Sequence, residues 1–307
     1  MNTGNPLISV ALLCYNQEKF VAEAVDGVLD QTYAPLDIVI VDDASTDATA
    51  SIIEERLAHR NNAHVTFIRN PRNLSANLTS RVAIQTTKGA FILVRSGDDI
   101  MLPDMIAEMA KVWMAENVSL VTTNAIYIDE QSKPLGRTYR DPAVRADDSF
   151  ETLARDGSNA CCFGPTIGFE REIYTTFGWP PAHLNTYDIM LPFYAYLLKG
   201  ARFIEKPLLK YRVHSQNTSL SLIAEKSDDV GQLLTAERIF YGHVAHAVLM
   251  QDELTRLGRH MPERYAALVS RIDPLVTNQI IEMARKLVAT RIRLQQLGVT
   301  LDAGRFS

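Results

Sequence analysis

Ala90-Phe91-Ile92-Leu93-Val94-Arg95-Ser96-Gly97-Asp98-Asp99 is an apolar run that ends in a small-residue turn and two adjacent carboxylates. A short apolar run bounded by turn chemistry reads as a buried strand. Acids without partners are poor core material, because removing a charge from water is expensive. Two acids directly beyond a buried strand suit the holding of a hard divalent cation against a phosphate. An ordinary turn or helix cap uses the same residue types, so the reading depends on what surrounds the stretch.

Toward the N-terminus the pattern recurs. Leu7 to Cys14 is a second apolar, β-rich run, broken by Tyr15-Asn16-Gln17, and Glu18 to Leu29 follows with Val21, Ala24, Val25, Val28 and Leu29 on one helical face. Asp37 to Val41 is another short strand. It ends in Asp42-Asp43-Ala44-Ser45-Thr46-Asp47, where Ser45 or Thr46 can cap a helix reaching Ala58. Val65 to Arg69 predicts a third strand, Asn77 to Thr87 a helix, and Ala90 to Val94 the fourth strand. The βαβαβαβ alternation predicts an α/β fold with a mostly parallel, doubly wound central sheet and flanking helices. Ligands of such sheets bind beyond the carboxyl ends of the strands. Tyr15-Asn16, Asp42-Asp43 and Asp98-Asp99 all fall there and are expected to converge on one crevice.

Toward the C-terminus, Pro103 to Glu116 predicts a helix with Met105, Ile106, Met109, Val112 and Trp113 inward, and Val118 to Ile128 a longer strand. Asp129 to Asp148 reads as a mobile polar loop and Phe150 to Arg155 as a short helix. Asn159 to Phe169 is expected to line the second half of the cleft, and Phe177 to Pro181 to turn. Asp188 to Leu198 reads as an apolar helix interrupted near its start by Pro192. Phe203–Lys206 and Leu208–Val213 read as two short strands. Beyond about Ser221 the composition turns helical. Leu233, Leu234, Ile239 and Phe240 mark amphipathic helices, and Arg285, Lys286, Arg291 and Arg293 make the last one basic.

The 307 residues carry a net charge of −5 and 47% hydrophobic residues, which gives ample core and argues against nucleic acid as a general partner. Cys14, Cys161 and Cys162 make an odd set with an adjacent pair. No disulfide framework or Cys-x-x-Cys zinc pattern follows, and a reducing cytoplasm is expected. No signal peptide is visible, and no apolar run approaches the roughly 20 residues of a membrane span. Work at a membrane would then be peripheral, at its inner face. Neither Gly-x-Gly-x-x-Gly, nor a P-loop, nor Gly-x-Ser-x-Gly is present, which excludes a P-loop enzyme and speaks against the dinucleotide-binding and α/β-hydrolase readings. What is left is an α/β crevice with acidic rather than glycine-rich loops.

Those loops resemble the family 2 glycosyltransferases, which have the GT-A fold. The similarity lies in Leu7 to Asn16, Val28 to Tyr33, Ile38 to Asp47, Lys88 to Ile92 leading into Ser96-Gly97-Asp98-Asp99, and Leu208 to Ser219 with its Tyr211-Arg212-Val213-His214-Ser215 core. It covers about residues 5–220 and implies a catalytic domain over 1–220, its nucleotide-binding half at 1–100 and its acceptor-binding half at 101–220. Residues 221–307 would be a helical extension, read as a solvated face, a membrane-surface attachment or a homo-oligomer contact. The resemblance implies an inverting transferase that takes a nucleotide-diphospho-sugar and, with Mn2+ or Mg2+, passes the sugar to a polysaccharide, lipid-linked or protein-linked acceptor.

By position, the resemblance assigns Asp98 and Asp99 to the metal. The first acid of the family's Asp-x-Asp signature is Ser96 here, a departure. Asp43, with Asp42 beside it, matches the acid that contacts base or ribose. Tyr15 would stack on the base, Asn16 and Asp98 would join the donor site, and Arg81 would face a phosphate at a point where the family usually shows Asn. Asp188 matches the general base, with Tyr187 in place of the family's Glu, while His214 would approach the diphosphate or metal and Arg212 is a phosphate candidate. The competing reading is a catalytically impaired sugar-nucleotide-binding or scaffold protein of the same fold, motivated by Ser96 and Tyr187. A nucleotidyltransferase is disfavoured by the missing Gly-Gly-x-Gly-x-Arg start.

Overall fold

In the computed structural model the described residues are 4–60, 64–141, 149–157, 162–179, 190–214 and 229–301. The first four strands follow the apolar runs: β1 (Ile8–Cys14), β2 (Leu36–Asp42), β3 (Val65–Arg69) and β4 (Phe91–Ser96). They alternate with α1 (Val21–Leu29), α2 (Thr49–Ala58) and α3 (Ser75–Thr86), as the periodicity predicts. All four strands run parallel, in the order β3-β2-β1-β4. Ile8, Val10, Leu12 and Cys14 pack with Val21, Val25 and Val28 of α1, and Ile38, Ile40, Phe91 and Leu93 join the same core. The α3 helix lies against β1 and β2 and buries Ala83 and Ile84.

Beyond β4 the sheet changes direction. Short β8 (Gly168–Glu170) runs antiparallel between β4 and β6 (Leu120–Ile128). A Cβ on Gly168 would stand 2.5 Å from the Phe91 ring, so only glycine lets the strand approach this closely. The neighbouring Glu170 carboxylate accepts from Trp113 Nε1 at 2.9 Å, Ser119 Oγ at 2.9 Å and Lys199 Nζ at 2.8 Å, which fixes the strand's far end.

Strand β9 (Ala201–Arg212) runs parallel to β6, and two-residue β5 (Ile100–Met101) closes the edge antiparallel to β9. Two short strands were expected where β9 is one. The reason is a register irregularity that sets Pro207, which has no N–H to give, opposite Asn124 without ending the strand. The expected loop at Asp129–Asp148 also contains β7 (Pro134–Thr138), paired with β6. Asp129 Oδ1 accepts the N–H groups of Gln131 and Lys133, each at 2.9 Å, and so makes the hairpin turn. Buried Asn124 continues the hairpin by exchanging two 3.0 Å bonds with the Arg140 backbone. Residues 142–148 lie outside the described residues.

Four further helices follow: α4 (Met105–Glu116), α5 (Phe150–Asp156), α6 (Glu172–Phe177) and α7 (Met190–Leu198). Met105, Ile106 and Met109 of α4 are buried, and Val112 and Trp113 are partly so. Pro192 is buried within α7, and the described helix runs on through it to Leu198.

The chain divides into two compact units. The first holds the whole sheet with α1–α4, α6 and α7. The second holds α5 with two long helices, α8 (Val230–His260) and α9 (Pro262–Gln296). The grouping of α5 with the C-terminal helices differs from the expected division, in which it lay inside the catalytic range. Its partner is α9, to which Glu151 is tied by Arg271 at 2.7 Å. Asp229 caps α8 by accepting the Gln232 N–H at 2.8 Å. Glu237–Arg291 at 2.7 Å and Gln251–Thr277 at 2.7 Å set α8 and α9 antiparallel. Ala236, Phe240 and Leu287 pack between them. Among the described residues no helix is long and apolar enough to cross a membrane.

His243 of α8 gives this helical unit a pH signature. Burial, reinforced by the charges of His246 and Lys286, lowers its pKa from 6.5 to about 4. The unfolded chain takes up this proton near pH 6.5 and the folded chain only near 4. The contribution is therefore complete above pH 6.5 and is lost as pH falls through that interval. His243→Gln is expected to flatten the acid side of the stability profile, by on the order of 2 kcal/mol at its maximum. Urea unfolding of both proteins from pH 7 to pH 4 measures it; parallel profiles would refute the assignment.

Candidate active site

The sheet's ladder runs one residue into the loops beyond β2, β3 and β4. Past the last paired residues the ladder continues: Asp43 N–H donates to Cys14 O at 2.8 Å, Gly97 N–H to Leu13 O at 2.8 Å, and Asn70 N–H to Asp42 O at 2.9 Å. This brings the loops level. Side chains then join them. The Asn16 N–H donates to Ser45 Oγ at 2.9 Å, Asn16 Oδ1 accepts the Thr46 N–H at 2.9 Å, and the Gln17 N–H donates to Thr49 Oγ1 at 2.7 Å. Gln17 Nε2 reaches Ser96 Oγ at 3.3 Å across the loops. A Cβ on Gly97 would stand 2.5 Å from Gln17 Oε1 and 2.9 Å from Cys14 Sγ, so the turn before the acids has room only for glycine.

The two acids of the β4 turn have different surroundings. Asp99 is 4% exposed, and its Oδ1 accepts the Arg212 N–H at 3.0 Å. Burial first, then the adjacent Asp98 charge, push its pKa well above the usual carboxylate range; the Arg212 amide and the Arg95 and Arg212 charges pull the other way. Asp98 instead faces His214, with Oδ2 3.0 Å from Nε2. The His214 ring packs on Phe20, centroids 5.0 Å apart. Asp99, expected to be a metal ligand, thus anchors the end of β9, while Asp98 and His214 offer an oxygen and a nitrogen side by side.

Arg212, read from sequence as a phosphate candidate, is fully buried and spent on protein partners. Its Nε donates to Asp98 O at 2.9 Å, Nη2 to Glu23 Oε2 at 2.6 Å, and Nη1 to Ser132 Oγ at 2.9 Å and to the Asp129 and Glu130 carbonyls at 3.2 and 3.3 Å. The Phe20 ring covers the guanidinium at 4.7 Å.

On the β2 side both acids are buried. Asp43 Oδ1 accepts from Asn70 Nδ2 at 2.7 Å and the Leu74 N–H at 2.9 Å, which ties the start of α3 to the crevice. Asp42 Oδ2 accepts the Ser45 N–H at 3.2 Å and lies 3.6 Å from Arg69 Nε, while its Oδ1 is buried without a partner among the described residues. Tyr15 is 47% exposed at the rim. Arg81 sits apart, over the Trp179 ring at 5.2 Å, with Trp179 in turn stacked on Tyr174 at 4.1 Å. Asp188 and Tyr187 lie outside the described residues. Sequence reasoning missed Gln17 and Asn70: each binds its partner across long separations, and the only local signal is a polar residue within three positions of a strand's end.

A divalent ion is implied by the resemblance, and the donor chemistry can be tested against it. A carboxylate oxygen beside an imidazole nitrogen suits Mn2+. Among the described residues, however, no three of His, Cys, Asp and Glu come together as a metal-holding group. Asp98 and His214, 3.0 Å apart, are the residues whose donor chemistry would suit such an ion.

The sequence profile of glycosyl transferase family 2 matches residues 9–178. An uncharacterized glycosyltransferase of Nostoc sp., alr2836, is 24% identical over 225 residues, 72% of this chain and 69% of that protein. Chondroitin synthase of Escherichia coli is 31% identical over 140 residues, 45% of this chain but 20% of the synthase. Among solved structures, the mannosyltransferase PcManGT of Pyrobaculum calidifontis, in complex with GDP-Man and Mn2+, superimposes with a TM-score of 0.58 at 17% identity. The superposition covers 96% of this chain and 79% of that one, and shows the shared GT-A-like fold.

Arg212→Lys distinguishes the two readings of Arg212. A lysine keeps the charge but cannot span the carbonyls, Ser132 and Glu23 together. The buried-hub reading predicts a loss of about 3 kcal/mol in urea unfolding; unchanged stability with weakened phosphate binding would restore the phosphate role.

Proposed function

The chain belongs to glycosyl transferase family 2, and from that premise we propose that it moves a sugar from a nucleotide-diphospho-sugar to an acceptor hydroxyl on a glycan, with inversion at the anomeric carbon. The observation that carries this reading is the Asp98–His214 pair, 3.0 Å apart at the exit of β4, level with the loops that bear Tyr15 and Asp43. Tyr15 would stack on the base, and the Asp43 carboxylate, held by Asn70 and Leu74, would accept from base or ribose.

In the proposed step the acceptor oxygen bonds to the anomeric carbon as the carbon–oxygen bond to the diphosphate breaks on the opposite face. The acceptor proton passes to a carboxylate. Asp188 is the proposed base. A divalent cation, when bound, would neutralise charge on the departing diphosphate, and Asp98 and His214 are the residues proposed to hold it, with Asp99 fixing the turn beneath. The acceptor class is proposed as a cell-surface polysaccharide, in line with the chondroitin synthase likeness, and the site of action as the cytoplasm. A binding protein without turnover is the second reading, favoured by Ser96 and Tyr187 at positions that are acidic in the family.

Calorimetric titration with UDP and GDP, with and without Mn2+, tests the metal assignment. Binding is expected to be strengthened by Mn2+, and Asp98→Asn or His214→Ala to lose that Mn2+-promoted binding while Asp99→Asn retains it. Metal dependence undiminished in Asp98→Asn would sink the assignment.

A turnover screen over nucleotide-sugars tests the chemistry. Asp188→Asn is expected to lose roughly 1,000-fold in transfer while binding donor normally. Wild-type rates in that variant would remove Asp188 as the base, and donor binding without turnover in the unmodified chain would favour the second reading.

A further inference from the structure

The turn after β4 keeps two side chains partly exposed, Ser96 and Asp98. An ionised Asp98 only accepts hydrogen bonds, and its Oδ2 already faces His214. Ser96 has one proton to give and two lone pairs. Gln17 decides how they are used. The Gln17 backbone is fixed on both sides: its N–H donates to Thr49 Oγ1 at 2.7 Å, and its carbonyl accepts the Phe20 and Val21 N–H groups, each at 2.9 Å. Its side chain occupies the space that a Cβ on Gly97 would need, with Oε1 2.5 Å from that point. The Tyr15 N–H donates to Oε1 at 3.3 Å, so the other end of the amide, Nε2, is turned to Ser96 Oγ, also at 3.3 Å. The amide gives a proton to Ser96 and takes none from it. One lone pair of the hydroxyl is thus engaged and its O–H points away from Gln17, where among the described residues it meets no acceptor.

We infer that Ser96 gives this proton to an oxygen of a bound nucleoside diphosphate, with Gln17 as the positioning residue that aims it. The assignment rests on the reading of the crevice as a nucleoside-diphosphate site. An acid at this position, as the family has, would only accept hydrogen bonds and would repel phosphate. Serine reverses both properties, because it is neutral and it donates. Nucleotide oxygens are acceptors, and a hydrogen bond to an anionic one is stronger than a bond between neutral groups. Ser96 is partly exposed, so water serves its O–H while the crevice is open. The new bond then forms on binding without breaking one inside the protein, and its direction is set in advance by Gln17. Part of the nucleotide affinity at this turn is therefore independent of any cation.

The test reads nucleotide binding and not sugar transfer. The full chain is titrated in a calorimeter with UDP, GDP, ADP, CDP and dTDP, once in a chelator and once with Mn2+. The parent is expected to bind one of them measurably in the chelator. Ser96→Ala is expected to weaken that binding about 10-fold. Ser96→Asp, which loses the proton and adds a charge, is expected to weaken it about 100-fold. Gln17→Met, which fills the same space but cannot direct the hydroxyl, is expected to cost about 5-fold in the parent and less than about 2-fold on top of Ser96→Ala. A packing role for Gln17 would give the same loss in both backgrounds, and that outcome overturns the positioning assignment. Undiminished binding in Ser96→Ala or Ser96→Asp, or a parent that binds a nucleotide only with Mn2+ present, overturns the donor role of Ser96. In each of these cases a nucleotide still binds, and the nucleoside-diphosphate reading stands. A parent that binds none of the nucleotides under either condition overturns that reading and the inference with it.

Discussion

The Arg212 guanidinium, buried at the end of β9, is the constraint on which the rest of the first unit's crevice depends. Taking a charged side chain out of water costs several kcal/mol unless its donors are matched. Here they reach carbonyls at Asp98, Asp129 and Glu130, a hydroxyl at Ser132 and the Glu23 carboxylate. Those acceptors belong to the β4 turn, the β6–β7 turn and α1, segments that are distant in sequence. Each needs the guanidinium in one place, so the residue sets their relative positions. The backbone N–H of the same residue holds Asp99. Two positions further on, His214 meets Asp98. The pair at the crevice is therefore oriented from below by a residue that need not touch a ligand.

A second constraint comes from the parallel register. Leu13 pairs with Ser96 and Cys14 with Asp42, so the strands end together, and the ladder bonds then run one step into the loops. Gly97 is forced by closeness to Cys14 and Gln17, not by a special backbone angle. Ser96 stands where the family has an acid, and it takes a neutral hydrogen bond from Gln17. The departure is accommodated by the packing around it.

The alternation of apolar runs made the parallel half of the fold legible, because a fully buried strand must be apolar throughout and the helices between carry one apolar face. Convergence of the loops followed from strand direction alone. The second half was less legible. Strand β8 is three residues long and owes its place to Gly168 beside Phe91, a closeness that no periodicity encodes. β7 depends on the Asp129 turn and on Asn124, whose side chain acts as a piece of strand backbone. At the site, residue types and positions were readable for Tyr15, Asp43 and Asp98. What could not be read was the direction of each side chain. Asp98 and Asp99 are neighbours in sequence with opposite environments, and Arg212, a cation near acids, is indistinguishable by type from a phosphate ligand until its burial is known.

The continuation of ladder bonds into the loops after β2, β3 and β4 has a consequence for motion. A loop that shares the sheet's hydrogen bonds can open only when the sheet end opens with it, so this wall of the crevice belongs to the most protected part of the chain. Its amide hydrogens should exchange with solvent on the time scale of the sheet rather than of a surface loop. A ligand meeting such a wall has little ordering to impose there, and the conformational entropy it must remove lies elsewhere. Discrimination between ligands at this wall then becomes a matter of fit to a fixed shape, with adaptation left to segments that the ladder does not hold.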